Sequence, residues 1–317
     1  MAGFMTTNTD NLTRANIWTQ EMKDTLQAQL MARNYVRMIP FTEGSSTLNI
    51  PSVGTFEVSD YTEGQPVKYT DVATGNFTFQ PNKYKQTGTY ISRKAQQDLF
   101  YASQLTSWFV PGQMRALAEQ MESDILSVIP NGQTASNVNA INGANHRWVG
   151  SGTNETIDVK DFALALNSLQ MANVPTENLV AIVHPSVEYK LNTMTNLTNV
   201  SNNPMWEGII TSGFRNGMRF IRNIYGFDVY VSMFLQTGVA ETIGALTTTT
   251  AAANLFFSAT PGMTMPIIGA VVQEPRVDTE FNKDYQRDEY VVTCRYDFAH
   301  FRPENSVVVL TDTDQVS

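Results

Sequence analysis

The stretch Leu179-Val180-Ala181-Ile182-Val183-His184-Pro185-Ser186-Val187-Glu188-Tyr189-Lys190-Leu191 changes character at its middle. Its first five residues are all apolar, which predicts a strand buried on both faces, because a half-exposed strand would alternate. His184-Pro185-Ser186 breaks that run, and residues 187–194 read as a helix. Upstream, Asp158 is placed to cap a helix over residues 159–171, whose apolar side is Phe162, Ala163, Leu166 and Leu169. Downstream, residues 195–206 are a polar loop, Gly226 makes a turn, and residues 227–233 form a further strand. Residues 247–253 read as a low-complexity surface loop. The rest is strand and turn, best marked at residues 267–272, 290–298 and 307–310. This half of the chain is therefore a mixed α/β unit, and the polar connection at residues 131–156 is the candidate boundary before it.

The first half is organised differently. Residues 1–16 lack periodicity and read as an extended arm. Over residues 17–38, Trp18, Met22, Leu26, Leu30 and Met31 fall close to i, i+4 spacing and predict a helix with one apolar stripe. Residues 46–90 favour extended structure throughout, with Phe56 and Val58, then Phe77 and Phe79, alternating with polar neighbours. Turn-forming residues 60–66 lie between those runs, so the simplest reading is a long β-hairpin. A two-stranded hairpin is marginal in water and must lie on something, its own domain or a neighbouring chain. From Ser92 to Ile129 the pattern is helical in two pieces, with Pro111 expected in the first turn of the second. Met114, Leu117, Ala118, Met121, Ile125 and Val128 give that second helix an apolar face.

Composition narrows the function. With 317 residues, 42% of them hydrophobic, the chain can bury a sizeable core. Charged residues are only 16%, below the usual ~25%, and 36 Thr and 26 Asn supply the polarity instead. Such a surface hydrogen-bonds widely while burying few charges, which suits extensive protein–protein contact. Net charge is −9, carried mostly by residues 151–317, which argues against a dedicated nucleic-acid binder. Cys294 is the only cysteine, so no intramolecular disulfide forms. The N-terminal residues lack the basic and apolar regions of a secretory signal, and no run of about eighteen apolar residues offers a membrane span. A soluble chain made inside the cell is expected.

The usual signatures of chemistry are missing. There is no phosphate-binding Gly-rich loop, no dinucleotide fingerprint and no Gly-x-Ser-x-Gly elbow. His146, His184 and His300 are far apart and are expected to be hydrogen-bonded structural residues. Arg215, Arg219 and Arg222, at steps of four and three, would share one helix face. A solvated face, or salt bridges to a neighbouring subunit, is favoured there over a phosphate site. The acidic residues Asp278, Glu280, Asp284, Asp288 and Glu289 lack the alternation of a calcium loop, and ion pairs with Arg276, Lys283 and Arg287 are expected. No catalytic, cofactor or metal site is expected, and no enzyme activity.

The order of these elements resembles that of tailed-bacteriophage major capsid proteins of the Hong Kong 97-type fold. Residues 179–191 look like that family's strand, Pro turn and helix, and Ile224-Tyr-Gly-Phe-Asp-Val-Tyr-Val-Ser232 is similar to its following strand. Tyr296-Asp-Phe-Ala-His-Phe-Arg-Pro-Glu-Asn-Ser-Val-Val-Val-Leu310 resembles its closing strands. The resemblance implies an α+β capsid fold with four parts. These are an N-terminal arm (residues 1–45), an extended β-hairpin (46–90), a peripheral domain with a long spine helix (91–150 and 274–317), and an axial α/β domain (151–273).

It also implies self-assembly as pentamers and hexamers into an icosahedral shell around double-stranded DNA, in the virion, after assembly in the host cytoplasm. Expected partners are further copies of the chain, a separate scaffolding protein, a portal and a decoration protein, with packaged DNA held without sequence-specific binding and no membrane. The shell is expected to be held noncovalently, since no motif singles out a cross-linking lysine among Lys68, Lys83 and Lys85. Candidate subunit-interface residues are Trp18, Phe56, Val58, Lys68, Tyr69, Phe77, Phe79, Arg215, Arg219 and Arg222. The alternative on the same fold is an encapsulin-like nanocompartment enclosing cargo enzymes.

Overall fold

The computed structural model describes residues 31–41, 47–54, 56–69, 71–98, 102–194, 220–260 and 264–313. After a short 3-10 turn at Ala32–Tyr35 come β1 (Val36–Met38), β2 (Leu48–Val53), β3 (Thr74–Phe79) and β4 (Lys83–Ser92). Helices α1 (Arg93–Asp98) and α2 (Ala102–Gly132) follow, then β5 (Arg147–Val149), α3 (Val159–Met171), β6 (Leu179–Val183) and α4 (Pro185–Thr193). The chain closes with β7 (Phe220–Ile224), β8 (Phe227–Val231), β9 (Thr242–Ile243), β10 (Leu246–Thr247), β11 (Ala251–Ser258), β12 (Ile267–Asn282), β13 (Arg287–His300) and β14 (Ser306–Asp312).

A six-stranded mixed sheet, ordered β5-β14-β11-β6-β8-β7, forms the centre of the α/β half, and it takes in β5 and β14, which lie in the ranges expected for the peripheral domain, because their partners are distant in sequence. Its central strands β6 and β14 carry apolar runs because both faces are covered, and successive side chains enter two different cores. On β6, Val180 and Ile182 join the core shared with α2, while Leu179, Ala181 and Val183 join the one under α3 and α4. Strand β14 divides the same way, with Val308 and Leu310 on one side and Val307 and Val309 on the other. Phe256 of β11 meets Phe162 and Phe227 edge to face at 5.1 and 5.4 Å, in the preferred aromatic geometry.

The expected cap of α3 is present: Asp158 accepts from the Val159 amide and forms a capping box with Asp161. Asp161 is buried and also accepts from the indole N–H of Trp148 and the amide of Ser151. At the end of β6, His184 caps α4, its ring Nδ1 accepting from the Ser186 amide at 3.3 Å.

Four sequence expectations are corrected. Residues 31–38 are not the end of a helix: they form the 3-10 turn and β1, which pairs in parallel with Ile267, Ile268 and Gly269. Sheet pairing there outweighs local helical spacing, and Trp18, Met22, Leu26 and Leu30 lie outside the described residues. Pro111 lies inside α2 and does not start it. Contacts to one strand residue flank the proline, with Phe109 meeting the Tyr290 ring edge to face at 5.8 Å and Gln113 donating to the Tyr290 carbonyl at 3.1 Å. That grip keeps both segments in line despite the lost N–H. Residues 251–253 are not surface loop: Ala251, Ala252 and Ala253 are fully buried in β11. Their small side chains carry no periodic signal, and burial comes from pairing with β14. Finally, β12 and β13 run far past the apolar residues that mark them, as a long antiparallel ribbon carrying the acidic segment at its far end.

The second sheet, β1-β12-β13-β4, lies against α2. The helix buries Leu117, Met121, Ile125, Leu126 and Ile129 between the two sheets. Two acids anchor it. Asp124 accepts from the Tyr296 hydroxyl at 2.8 Å and lies 3.4 Å from Lys83 and 3.7 Å from Lys85. Glu122 is buried and accepts the amides of Met31 at 2.8 Å and Ala32 at 2.9 Å.

Burial pushes the Glu122 carboxyl above its ordinary range, against the pull of those two amides and of Arg115. The folded protein thus holds that proton more tightly than the unfolded chain. The resulting stabilisation is complete below the ordinary glutamate pKa and is lost as pH rises through the raised one. Glu122→Gln lacks this titration, so wild-type stability relative to it should decline as pH rises across that window in urea melts. A flat or rising difference would contradict the assignment. A second prediction concerns the hairpin root, where Phe79 is only 4% exposed. Phe79→Ala should cost ~3 kcal/mol in the same melts, whereas a loss under about 1 kcal/mol would show that the site is not packed.

Candidate functional site

The feature that stands out chemically is the end of the hairpin. Strands β2 and β3 pair antiparallel, Leu48 opposite Phe79 and Val53 opposite Thr74. One more rung, from the Gly54 amide to the Ala73 carbonyl at 2.7 Å, closes the ladder. The root is fixed to its own subunit through buried Phe79 and through Phe77, whose ring meets Phe301 edge to face at 5.1 Å. Beyond the ladder, residues 56–69 contain no strand and reverse at a turn where the Gln65 amide bonds the Thr62 carbonyl. Gly64 takes φ +81 there, a conformation that other residues adopt only with strain.

This outer loop exposes large apolar side chains that a lone soluble domain would cover. Phe56 is 78% exposed, Val58 99% and Tyr69 92%, with Val53, Tyr61 and Val67 also open. The segment from Gly54 to Ala73 carries Glu57, Asp60, Glu63 and Asp71 against Lys68 alone, so its apolar groups sit in an acidic frame.

Among the interface candidates, the structure brings Phe56, Val58, Lys68 and Tyr69 together on this exposed loop. Phe77 is half-buried and Phe79 is corrected, since a ring packed inside its own subunit is not offered to a neighbour. Arg222 is corrected as well: it lies on strand β7 opposite Val229, so it is not on a helix face with Arg215 and Arg219. Trp18, Arg215 and Arg219 lie outside the described residues.

Sequence reasoning missed a second exposed group at the far end of the β12–β13 ribbon. There Arg287 lies 4.3 Å from the Tyr90 ring and 4.7 Å from the Tyr285 ring, and its Nε is 2.6 Å from Glu289. Arg276 and Asp278 pair at 3.1 Å, so ion pairing does account for much of this acidic stretch. The available signal was the Tyr-Gln-Arg turn between two strands, which periodicity does not mark.

No group of three or more metal-ligating side chains occurs among the described residues. The three histidines stay apart. His146 is buried with Nδ1 3.1 Å from the Ala144 carbonyl, and His300 sits 2.8 Å from the Ser306 hydroxyl. Burial pushes His300 down to about 4 and lowers His146 and His184 as well, so all three are neutral near pH 7. Two clefts, of about 90 Å³ beside α4 and 260 Å³ beside Glu122, fall below the ~300–1,000 Å³ of small-molecule sites. Among the described residues, no helix is long and apolar enough to cross a membrane.

The same fold occurs in chains from phages and their capsids. Among solved structures, a chain of Mycobacterium phage Che8 is 17% identical with TM-score 0.69, covering 94% of this chain and 97% of its own. A capsid chain of bacteriophage PhiM1 is 11% identical with TM-score 0.70, covering 99% and 95%. The capsid of cyanophage P-SCSP1u gives 14% identity and TM-score 0.68 over 96% and 94%. At such identities the shared property is the fold, that of Hong Kong 97-type capsid proteins. No curated protein matches the sequence. The phage capsid protein model matches residues 76–309, well over half of the chain, and the protein therefore belongs to the phage capsid protein family, as a structural subunit of the virion head shell.

Proposed function

We propose that the protein closes an icosahedral shell as pentamers and hexamers, with loop 54–73 lying across a neighbouring subunit and double-stranded DNA packaged inside. The observation that carries this reading is the exposure of Phe56, Val58 and Tyr69 on a loop whose root is firmly packed. Covering one such side chain contributes ~1.5–3 kcal/mol, and every subunit of a shell repeats the contact. The peripheral part, which takes in β1, and the axial part around the six-stranded sheet, which takes in β5 and β14, are the remaining units of this proposal. A separate scaffolding protein, a portal and a decoration protein complete it, with assembly in the host cytoplasm and noncovalent contacts throughout. The net charge of −9 fits a container whose wall does not hold its polymer fast. A nanocompartment for cargo enzymes is not favoured, because the family model and the solved structures reported above are those of phages and their capsids.

The test replaces Val58 and Tyr69 by Asp, singly and together. Both groups are exposed in the subunit, so melting should stay within about 2 °C of wild type. Light scattering and electron microscopy should show wild-type shells and few or none from the double variant. Normal shells from Val58→Asp/Tyr69→Asp would remove the bridging role of the loop.

A further inference from the structure

The contact between α2 and the six-stranded sheet is mostly apolar, and apolar contact does not fix direction. One buried polar group does. The Arg147 side chain, on edge strand β5, is 2% exposed and donates to three acceptor atoms. Its Nη2 and Nε donate to the two carboxylate oxygens of Glu241 at 2.7 and 3.1 Å, and its Nη1 donates to the Pro130 carbonyl at 3.2 Å. Pro130 is in the last turn of α2, where carbonyls lack helical partners and a cation is favoured. Glu241 in turn accepts the Ser136 amide at 3.1 Å, from the segment that leaves the helix. Burial raises the Glu241 carboxyl, but the bonds from Arg147 and Ser136 outweigh it and hold the group below its usual range, hence ionised.

A rigid planar fork thus ties helix end, sheet edge and the loop before β9 at one point. A buried ion pair adds little net stability over apolar groups of similar size, so fixing geometry is its better-founded use. We propose that the Arg147–Glu241–Pro130 junction is a brace that sets the angle between the spine helix and the axial sheet. On the capsid reading of this chain, that angle enters the curvature of every subunit contact.

The double variant Arg147→Met/Glu241→Leu keeps the volume and removes both charges, so neither is left buried alone. Cysteines introduced as Gln120→Cys on α2 and Asn167→Cys on α3, both exposed positions, carry spin labels, while buried Cys294 stays unlabelled. Dipolar spectroscopy on the unassembled subunit then reads the distance from α2 to α3, the helix that packs on the opposite face of the six-stranded sheet. Expected are a single narrow distribution with the native pair and one about twofold broader in the double variant, with melting shifted by no more than a few degrees, since cores lose uniqueness before stability. Equal widths would overturn the brace. So would a double variant that melts far below wild type, because the pair would then be a stability element. This readout needs no shell, so a failure of wild-type protein to assemble even with its scaffolding protein would count against the capsid reading and not against the brace.

Discussion

Two carboxylates set two residues apart on α2 tie that helix to the segment before β1 and to the four-stranded sheet. Residues at i and i+2 point to different sides of a helix, and Glu122 and Asp124 use that divergence. Glu122 takes the amides that begin the described chain, while Asp124 takes a tyrosine and two lysines from β13 and β4. The helix is thereby fixed on one flank to the N-terminal segment and on another to the four-stranded sheet. Its apolar residues then close the core between the two sheets. Together with the Gln113 bond to the Tyr290 carbonyl and the Arg147 bond to the Pro130 carbonyl, these two anchors fix how the apolar stripe of the helix meets both sheets.

From that grip follows the division between what the subunit buries and what it leaves open. The hairpin root is held by Phe79 and by the Phe77–Phe301 contact, directly before β4 joins the gripped sheet. The loop beyond it has no such support and carries aromatic and aliphatic groups in the open. A folded subunit with an uncovered apolar loop gains by meeting others like itself, which is the behaviour required of a shell protein. The low charge content and abundant Thr and Asn suit the same end, since broad contact surfaces tolerate hydroxyl and amide groups better than unpaired charges.

Much of this was legible from the residues. The five-residue run at 179–183, the cap at Asp158 and the stripe around Met121 each state one local rule clearly, and the structure follows them. The order of those elements carried the capsid resemblance. What was not legible depended on partners distant in sequence. Ala251 to Ala253 look like loop until β14 lies beside them, and residues 31–38 look helical until Ile267 offers a strand edge. Phe77 and Phe79 have the same pattern as Phe56 and Val58, yet the first pair packs inward and the second stands in solvent. Alternation shows that a strand has an apolar side, and it does not show which molecule covers it. Arg147 was passed over for a similar reason: nothing in a lone arginine before a tryptophan indicates a partner at position 241.

The central claim is that the loop at residues 56–69 is covered by assembly and not by the other described residues of the subunit. Amide hydrogen exchange on free subunits and on closed shells tests it directly. The account predicts that amides of residues 56–69 exchange rapidly in the free subunit and become protected in the shell, while those of β11 are protected in both. Fast exchange of the loop in both states, or protection of it in the free subunit, would contradict the account.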